Sequence, residues 1–225
     1  MNLQKDFTSY AKSNGISGLS LHQYQNFQSG INANMTPYIL EERQMNMTAL
    51  DVFSRLMAER IIWLAGPVDD GMSTVVQAQL MYLDSVDSSK EITLHIDTPG
   101  GSVKSGLSIV DVMDYIKSDV RTINTGMAYS MGSVLLGAGT KGKRNSLRFS
   151  KTMMHNSSGQ AGGNISDARI TFNEWEKVNT ILFELLGGYC GKDPKEVEYD
   201  ASRDKWLTSQ EALEYGIIDE IIIKK

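Results

Sequence analysis

Between residues 71 and 85 the chain sets Val75, Val76, Ala78, Leu80, Met81 and Leu83 at helical spacing. From residue 92 the period drops to two, with Ile92, Leu94 and Ile96 on one face, and the turn Pro99–Gly100–Gly101 closes that strand. The alternation then repeats. A helix carrying Leu107, Ile109, Val110, Val112, Met113 and Ile116 leads to a strand over 120–124, a turn of small residues and a helix over 131–138. Upstream, Leu50, Val52, Phe53, Leu56 and Met57 lie near one stripe and predict a helix before a buried strand over 60–64, which Gly66 and Pro67 end. Downstream come a short strand over 152–154, a glycine-rich segment over 159–163, and a long helix with Val178, Ile181, Leu182, Leu185 and Leu186 that Gly187 and Gly188 should stop. Thr208, with Glu211 three residues on, reads as a capping box opening a last helix; Gly216 ends it before a strand over 217–223. Strands alternating with helices at this spacing define an α/β fold.

Residues 1–34 break this picture, being rich in Asn, Gln, Ser and Gly without a sustained period. They are expected to be a flexible arm or a removable propeptide, with one globular domain over 35–225. The net charge is -5, with 22 basic against 27 acidic residues, which offers no basic face for nucleic acid. Cys190 is the single cysteine, so an internal disulfide and a thiolate-built zinc site are both excluded, and a reducing compartment fits. The apolar runs 61–65 and 134–136 fall far short of the ~20 residues of a membrane helix, and 1–34 holds no apolar stretch of signal-peptide type. These features lead to the expectation of a cytoplasmic protein without a membrane partner.

The candidate chemistry begins at Gly126–Met127–Ala128–Tyr129–Ser130–Met131–Gly132. Small residues around a serine between a strand and an apolar helix let the chain turn sharply and present the hydroxyl, as in a nucleophile elbow with Ala128 in place of the first glycine. The same string also suits a close-packed turn in which Ser130 is merely an N-cap. A nucleophilic serine needs a base, and only three histidines exist. His22 lies in the polar leader, His95 sits within a strand facing away from Leu94 and Ile96, and His155 closes a short strand at a loop. Its place at a strand end favours His155, although spacing does not decide the matter. Asp204 is one of 27 acids, and by residue type alone it reads as a surface carboxylate.

Several ordered segments from about Pro37 to Ile222 together resemble the Clp protease family of serine peptidases, the ClpP family. They are 51–56 with 60–64, Ile96-Asp97-Thr98-Pro99-Gly100-Gly101-Ser102, the Ser130 motif, 141–144, Met153-Met154-His155, and 202–208 with 214–219. The resemblance implies a crotonase-like β/α spiral fold with a protruding strand-helix handle, here 159–163 and the helix to Leu186. It implies Ser130 as nucleophile, His155 as base and Asp204 as the acid that fixes the imidazole. The amides of Gly101 and Met131 would form the oxyanion hole, and Gly100, Ser102, Val103, Ser157 and Ser158 would bind extended substrate. His95 and Tyr115 fall at positions that dock a partner.

The family resemblance further implies a subunit of two stacked heptameric rings that cleaves unfolded polypeptides. These are fed by an AAA+ unfoldase of the ClpX or ClpA/ClpC type, and ATP is consumed by that partner. Neither a metal nor another cofactor is implied, and the sequence has no phosphate-binding loop of the Walker type. Some positions depart from the pattern. Asn156 and Ser157 replace Gln-Pro after His155, Tyr129 replaces a small residue, His95 an aromatic one and Ser202 an acid, and 44–49 lacks a Gly-Glu-Arg pattern. These departures suggest a divergent paralogue. The competing expectations are a catalytically weak or structural ring member co-assembling with a second, typical ClpP chain, and an acyl-CoA enzyme of the crotonase superfamily.

Overall fold

The computed structural model describes residues 38–43, 46–159 and 163–223; the leader expected over 1–34 lies outside the described residues. The chain divides after Val52 into two compact units. In the first, strands β1 (Tyr38–Arg43) and β2 (Asn46–Asp51) pair antiparallel, with Ile39 opposite Leu50. This corrects the helix expected to include Leu50: pairing with β1 overrides the local apolar stripe, and helix α1 covers only Val52–Ala58.

In the second unit, β3 (Ile61–Ala65), β4 (Ile92–Thr98) and β5 (Val120–Tyr129) lie side by side and parallel, joined through helices α2 (Asp70–Val86) and α3 (Val103–Tyr115). Strand β4 shows why the period of two was readable. Ile92, Leu94, Ile96 and Thr98 are buried on one face, while Thr93, His95 and Asp97 on the other are half-buried. Both helices begin where a side-chain oxygen caps them: Asp69 accepts from the Met72 amide and Ser102 from that of Ser105. Helix α4 (Met131–Gly137) follows β5 and is buried along its whole length.

Strand β5 is the pivot of the sheet. Its first half pairs with β6 (Arg144–Leu147), and after an irregularity opposite Ile96–Thr98 its second half, Met127–Tyr129, pairs with β7 (Lys151–Met154). The sequence predicted a strand ending at 124 and a looser turn; the ladder to β7 carries the strand on to Tyr129, so the whole turn falls on Ser130. Strand β6 was not foreseen. Its Arg144, Asn145 and Ser146 are buried and polar, and hydrogen bonds rather than an apolar pattern hold them.

The long helix α5 runs over Ile165–Cys190, ~39 Å at 1.5 Å per residue. It passes straight through Gly187 and Gly188, contrary to the stop expected there. Gly187 serves a close approach instead, since a Cβ on it would come 2.9 Å from the Lys192 carbonyl oxygen. The left-handed residue that ends the helix is Gly191, at φ 67°. Gly159 and Gly163 lie outside helix and strand, and 160–162 lie outside the described residues. A short helix α6 (Pro194–Asp200), also unforeseen, follows on Asp193 as cap.

Strand β8 (Lys205–Thr208) pairs antiparallel with β7. Helix α7 (Ser209–Tyr215) has the expected capping box, and β9 (Glu220–Ile222) joins β6. The last strand is shorter than expected because the amides of Ile217 and Ile218 turn back to the Ala212 carbonyl.

Candidate active site

Three strands of one sheet bring the candidate residues together. In the β5–β7 register Tyr129 lies beside Met153, and in the β7–β8 register Met154 lies opposite Lys205. One residue beyond each pairing stand Ser130, His155 and Asp204, all leaving the sheet at the same corner. Ser130 Oγ lies 2.9 Å from His155 Nε2, and His155 Nδ1 lies 3.1 Å from Asp204 Oδ1. A carboxylate accepts from Nδ1–H, which leaves Nε2 as the acceptor for the serine hydroxyl proton. The Asp204 side chain is more than half exposed, at 57%, so solvent screens its charge at the imidazole.

Ser130 is not an ordinary helix cap, because its side chain makes no capping bond. Its backbone sits at φ 53° and ψ -120°, one of two non-glycine residues with positive φ among those described, the other being Arg60. Such a conformation costs on the order of 1–3 kcal/mol and persists only where the surroundings enforce it. The Ser130 amide donates to the Met153 carbonyl at 2.8 Å. Gly100 passes so close beneath that a Cβ on it would lie 2.5 Å from Tyr129 O and 2.7 Å from Ser130 Cβ. A Cβ on Gly132 would lie 2.6 Å from Thr98 Cγ2. Both glycines are therefore places where the turn needs bare backbone.

Beside the serine, Met131 opens α4 and so has no intrahelical acceptor for its N–H. Gly101, at φ 150°, runs against Val68, and a Cβ there would collide with the Val68 carbonyl. On either side of it the Gly100 carbonyl accepts from Val68 and the Ser102 amide donates to Val68, whereas the loop hydrogen bonds leave the Gly101 N–H unused. Thr98, fully buried, fixes this loop: its Oγ1 donates to Gly66 O at 2.6 Å and accepts from the Gly100 amide at 3.0 Å. The period of two is read only as far as Ile96, so it gives Thr98 no place.

The remaining expected residues fall as follows. Ser102 donates its amide to the Val68 carbonyl, and its hydroxyl oxygen accepts from the Ser105 amide in the first turn of α3. Gly100, packed under Ser130, likewise has its amide and carbonyl engaged. Val103 and Ser157, with Val134, Leu182, Phe183 and Leu186, line a mostly apolar cavity of about 20 Å³ beside Ser130. Ser157 and Ser158 also border an open cleft with His155, Asn156, Arg203 and Asp204. Tyr129 packs edge-on against Trp206, with centroids 4.9 Å apart, linking the nucleophile strand to β8.

His95 is distant in role from this corner. It stacks on Trp63 at 4.7 Å, its Nδ1 is buried without a hydrogen-bond partner among the described residues, and burial holds the imidazole below its ordinary pKa. Tyr115 is exposed at the end of α3, and no ring contact among the described residues joins it to His95. No group of His, Cys, Asp and Glu side chains among the described residues is placed to hold a metal ion. No described helix is long and apolar enough to cross a membrane.

The sequence profile of the Clp protease family matches residues 43–225. The chain belongs to the Clp protease family. It is 50% identical over 221 residues, 98% of this chain and 99% of the relative, to an ATP-dependent Clp protease proteolytic subunit of Bacteroides fragilis. A protein of the same name from Porphyromonas gingivalis is 47% identical over 97% of this chain and 98% of its own length. One from Streptococcus salivarius is 45% identical over 84% of this chain and 97% of its own. The chain is thus a Clp-type serine endopeptidase with the ClpP-like α/β fold, and nothing in these similarities favours an acyl-CoA enzyme or a purely structural role.

Proposed function

We propose that Ser130, His155 and Asp204 carry out peptide-bond hydrolysis, with the Gly101 and Met131 amides as oxyanion hole. The supporting observation is the continuous path Asp204 Oδ1, His155 Nδ1, His155 Nε2, Ser130 Oγ, with both gaps near 3 Å. Ser130 Oγ attacks the scissile carbonyl carbon while His155 Nε2 takes its proton. Charge gathers on the carbonyl oxygen, which the two amides meet with N–H donors. Collapse breaks the C–N bond, and the leaving amine takes the proton from Nε2. Water, deprotonated by the same nitrogen, then releases the acyl group and restores Ser130. Val103 and Leu182 present apolar surface beside Ser130, against which an apolar group of the substrate would lose little by leaving water. The edge formed by Ser157 and Ser158 takes the peptide main chain.

Around this site the reading extends to a cytoplasmic assembly of two heptameric rings that receives unfolded polypeptide from an AAA+ unfoldase, with ATP used by that partner. The names of the relatives, ATP-dependent proteolytic subunits, support it. So do the family's habits of assembly. Residues 1–34 are read as a propeptide and His95 with Tyr115 as part of a docking surface.

Peptidase assays on Ser130→Ala, His155→Ala and Asp204→Asn test the assignment. The first two should lower kcat on the order of 10⁶-fold and the third roughly 10⁴-fold, with all three together no worse than Ser130→Ala alone. Additive losses, or a Ser130→Ala protein of undiminished activity, contradict the shared mechanism.

A further inference from the structure

On α5, Trp175, Asn179, Leu182, Phe183 and Leu186 each lie three or four residues from another of the set and share one face. Toward the C-terminal end of that face Leu182, Phe183 and Leu186 close the apolar cavity beside Ser130. Toward the N-terminal end the face carries the segment that leaves His155. Asn179 Oδ1 accepts from the Ser157 amide at 3.0 Å. Gly159 lies so near the Trp175 indole that a Cβ on it would come 2.6 Å from Cζ2. From the other side, the Asn156 amide donates to the Ala201 carbonyl at 2.9 Å, on the stretch that leads to Asp204. Residues 156–159 are thus clamped between α5 and the Asp204 loop. A half-buried polar side chain in such a stripe is costly unless it bonds, and Asn179 bonds to this segment.

We propose that Asn179 is a positioning residue that fixes Ser157–Gly159 as the edge along which a peptide main chain lies. It takes no part in bond making. This rests on the reading of Ser130 as nucleophile and of Ser157–Ser158 as a substrate edge. His155 is held separately, by Asp204 and at the end of β7. Loss of the Asn179 acceptor therefore loosens the edge while leaving the triad in place. Interactions spread along a peptide weaken; chemistry on an ester too small to reach Ser157 does not.

The experiment compares wild type, Asn179→Leu, which keeps the size without the acceptor, and Asn179→Asp, which keeps an oxygen acceptor. Each is assayed on a fluorogenic peptide long enough to span the cleft and on p-nitrophenyl acetate. Losing one such hydrogen bond should raise KM for the peptide about five- to tenfold in Asn179→Leu. Ester hydrolysis should stay at the wild-type rate, and Asn179→Asp should recover the peptide KM. Asn179→Ala serves in the same way should the leucine variant not assemble. Unchanged peptide KM in the variant lacking the acceptor overturns the proposal, as does an equal fall on both substrates. Ser130→Ala runs alongside on the ester. Full activity there sinks the nucleophile reading itself, whereas an inert Ser130→Ala beside an unaffected Asn179→Leu sinks only the role of Asn179.

Discussion

Ser130 holds a backbone conformation that a β-carbon disfavours, and three neighbours enforce it: the Met153 carbonyl, the bare backbone of Gly100 and the Thr98–Gly132 contact. Thr98 joins two of these functions, since its methyl meets Gly132 and its hydroxyl clamps the loop bearing Gly101. Thr98→Val keeps the shape and removes both hydrogen bonds, leaving the Gly66 carbonyl and the Gly100 amide unpaired at a cost of about 1–3 kcal/mol. The account predicts a lower kcat with little change in peptide KM, and recovery in Thr98→Ser, checked by steady-state kinetics beside thermal melts. A Thr98→Val enzyme with wild-type kcat would remove Thr98 from the positioning of the loop. The serine motif and the Pro99–Gly100–Gly101 turn were legible because sharp turns demand small residues. Thr98 was not, because an inward-facing polar residue in an apolar row shows its purpose only when its partners, 32 residues away at Gly66 and two at Gly100, are in view.

The strands β5, β7 and β8 make the site, because consecutive registers deliver three side chains to one corner. Helices α2 and α3 and the capping box of α7 were legible because they follow apolar spacing and cap residues that are local in sequence. Strand β6 was missed because its stability lies in distant and polar partners, and the β1–β2 hairpin because Leu50 also fitted a helical stripe with the residues that follow it. Buried Arg144 reaches Asp219 through two nitrogens, at 2.8 and 2.5 Å, and the Tyr189 carbonyl through a third. Burial would push the Asp219 carboxyl up, but the hydrogen bonds from Arg144 and the Gly142 amide outweigh it and hold the pKa below the ordinary value. A depressed carboxylate pKa stabilises the fold above the unfolded pKa, and that contribution is lost as pH falls through the lower folded pKa. Asp219→Asn should therefore cost about 3 kcal/mol near neutrality. The gap in melting temperature to wild type should begin to narrow below about pH 4, where the unfolded carboxyl takes up its proton, and close only as pH falls through the lower native pKa. A gap that stays constant from pH 7 to 3 would assign the loss to packing instead.

Large apolar side chains remain exposed on the chain taken alone, among them Ile165, Ile170, Phe172 and Ile181 along α5. Ile170 and Ile181, eleven residues apart, share the face of α5 turned away from the cavity-lining Leu182 and Leu186, whereas Ile165 and Phe172 lie nearer to that lining side; exposed apolar surface of this kind marks a place of interaction. Family membership and fold could be read from the ordered motifs; the number of subunits, the unfoldase and the fate of residues 1–34 are properties of contacts that a single chain does not contain. They bear on access to the site, while the proposed chemistry turns on Ser130. The most direct test treats the purified protein with a fluorophosphonate, separates it by size and determines the intact mass and modified residue of each fraction. The account predicts one adduct per chain in the assembled fraction, located on Ser130 and absent from Ser130→Ala and, at the same exposure time, from His155→Ala. An assembled wild-type protein that stays unmodified, or an adduct that persists in Ser130→Ala, would contradict it.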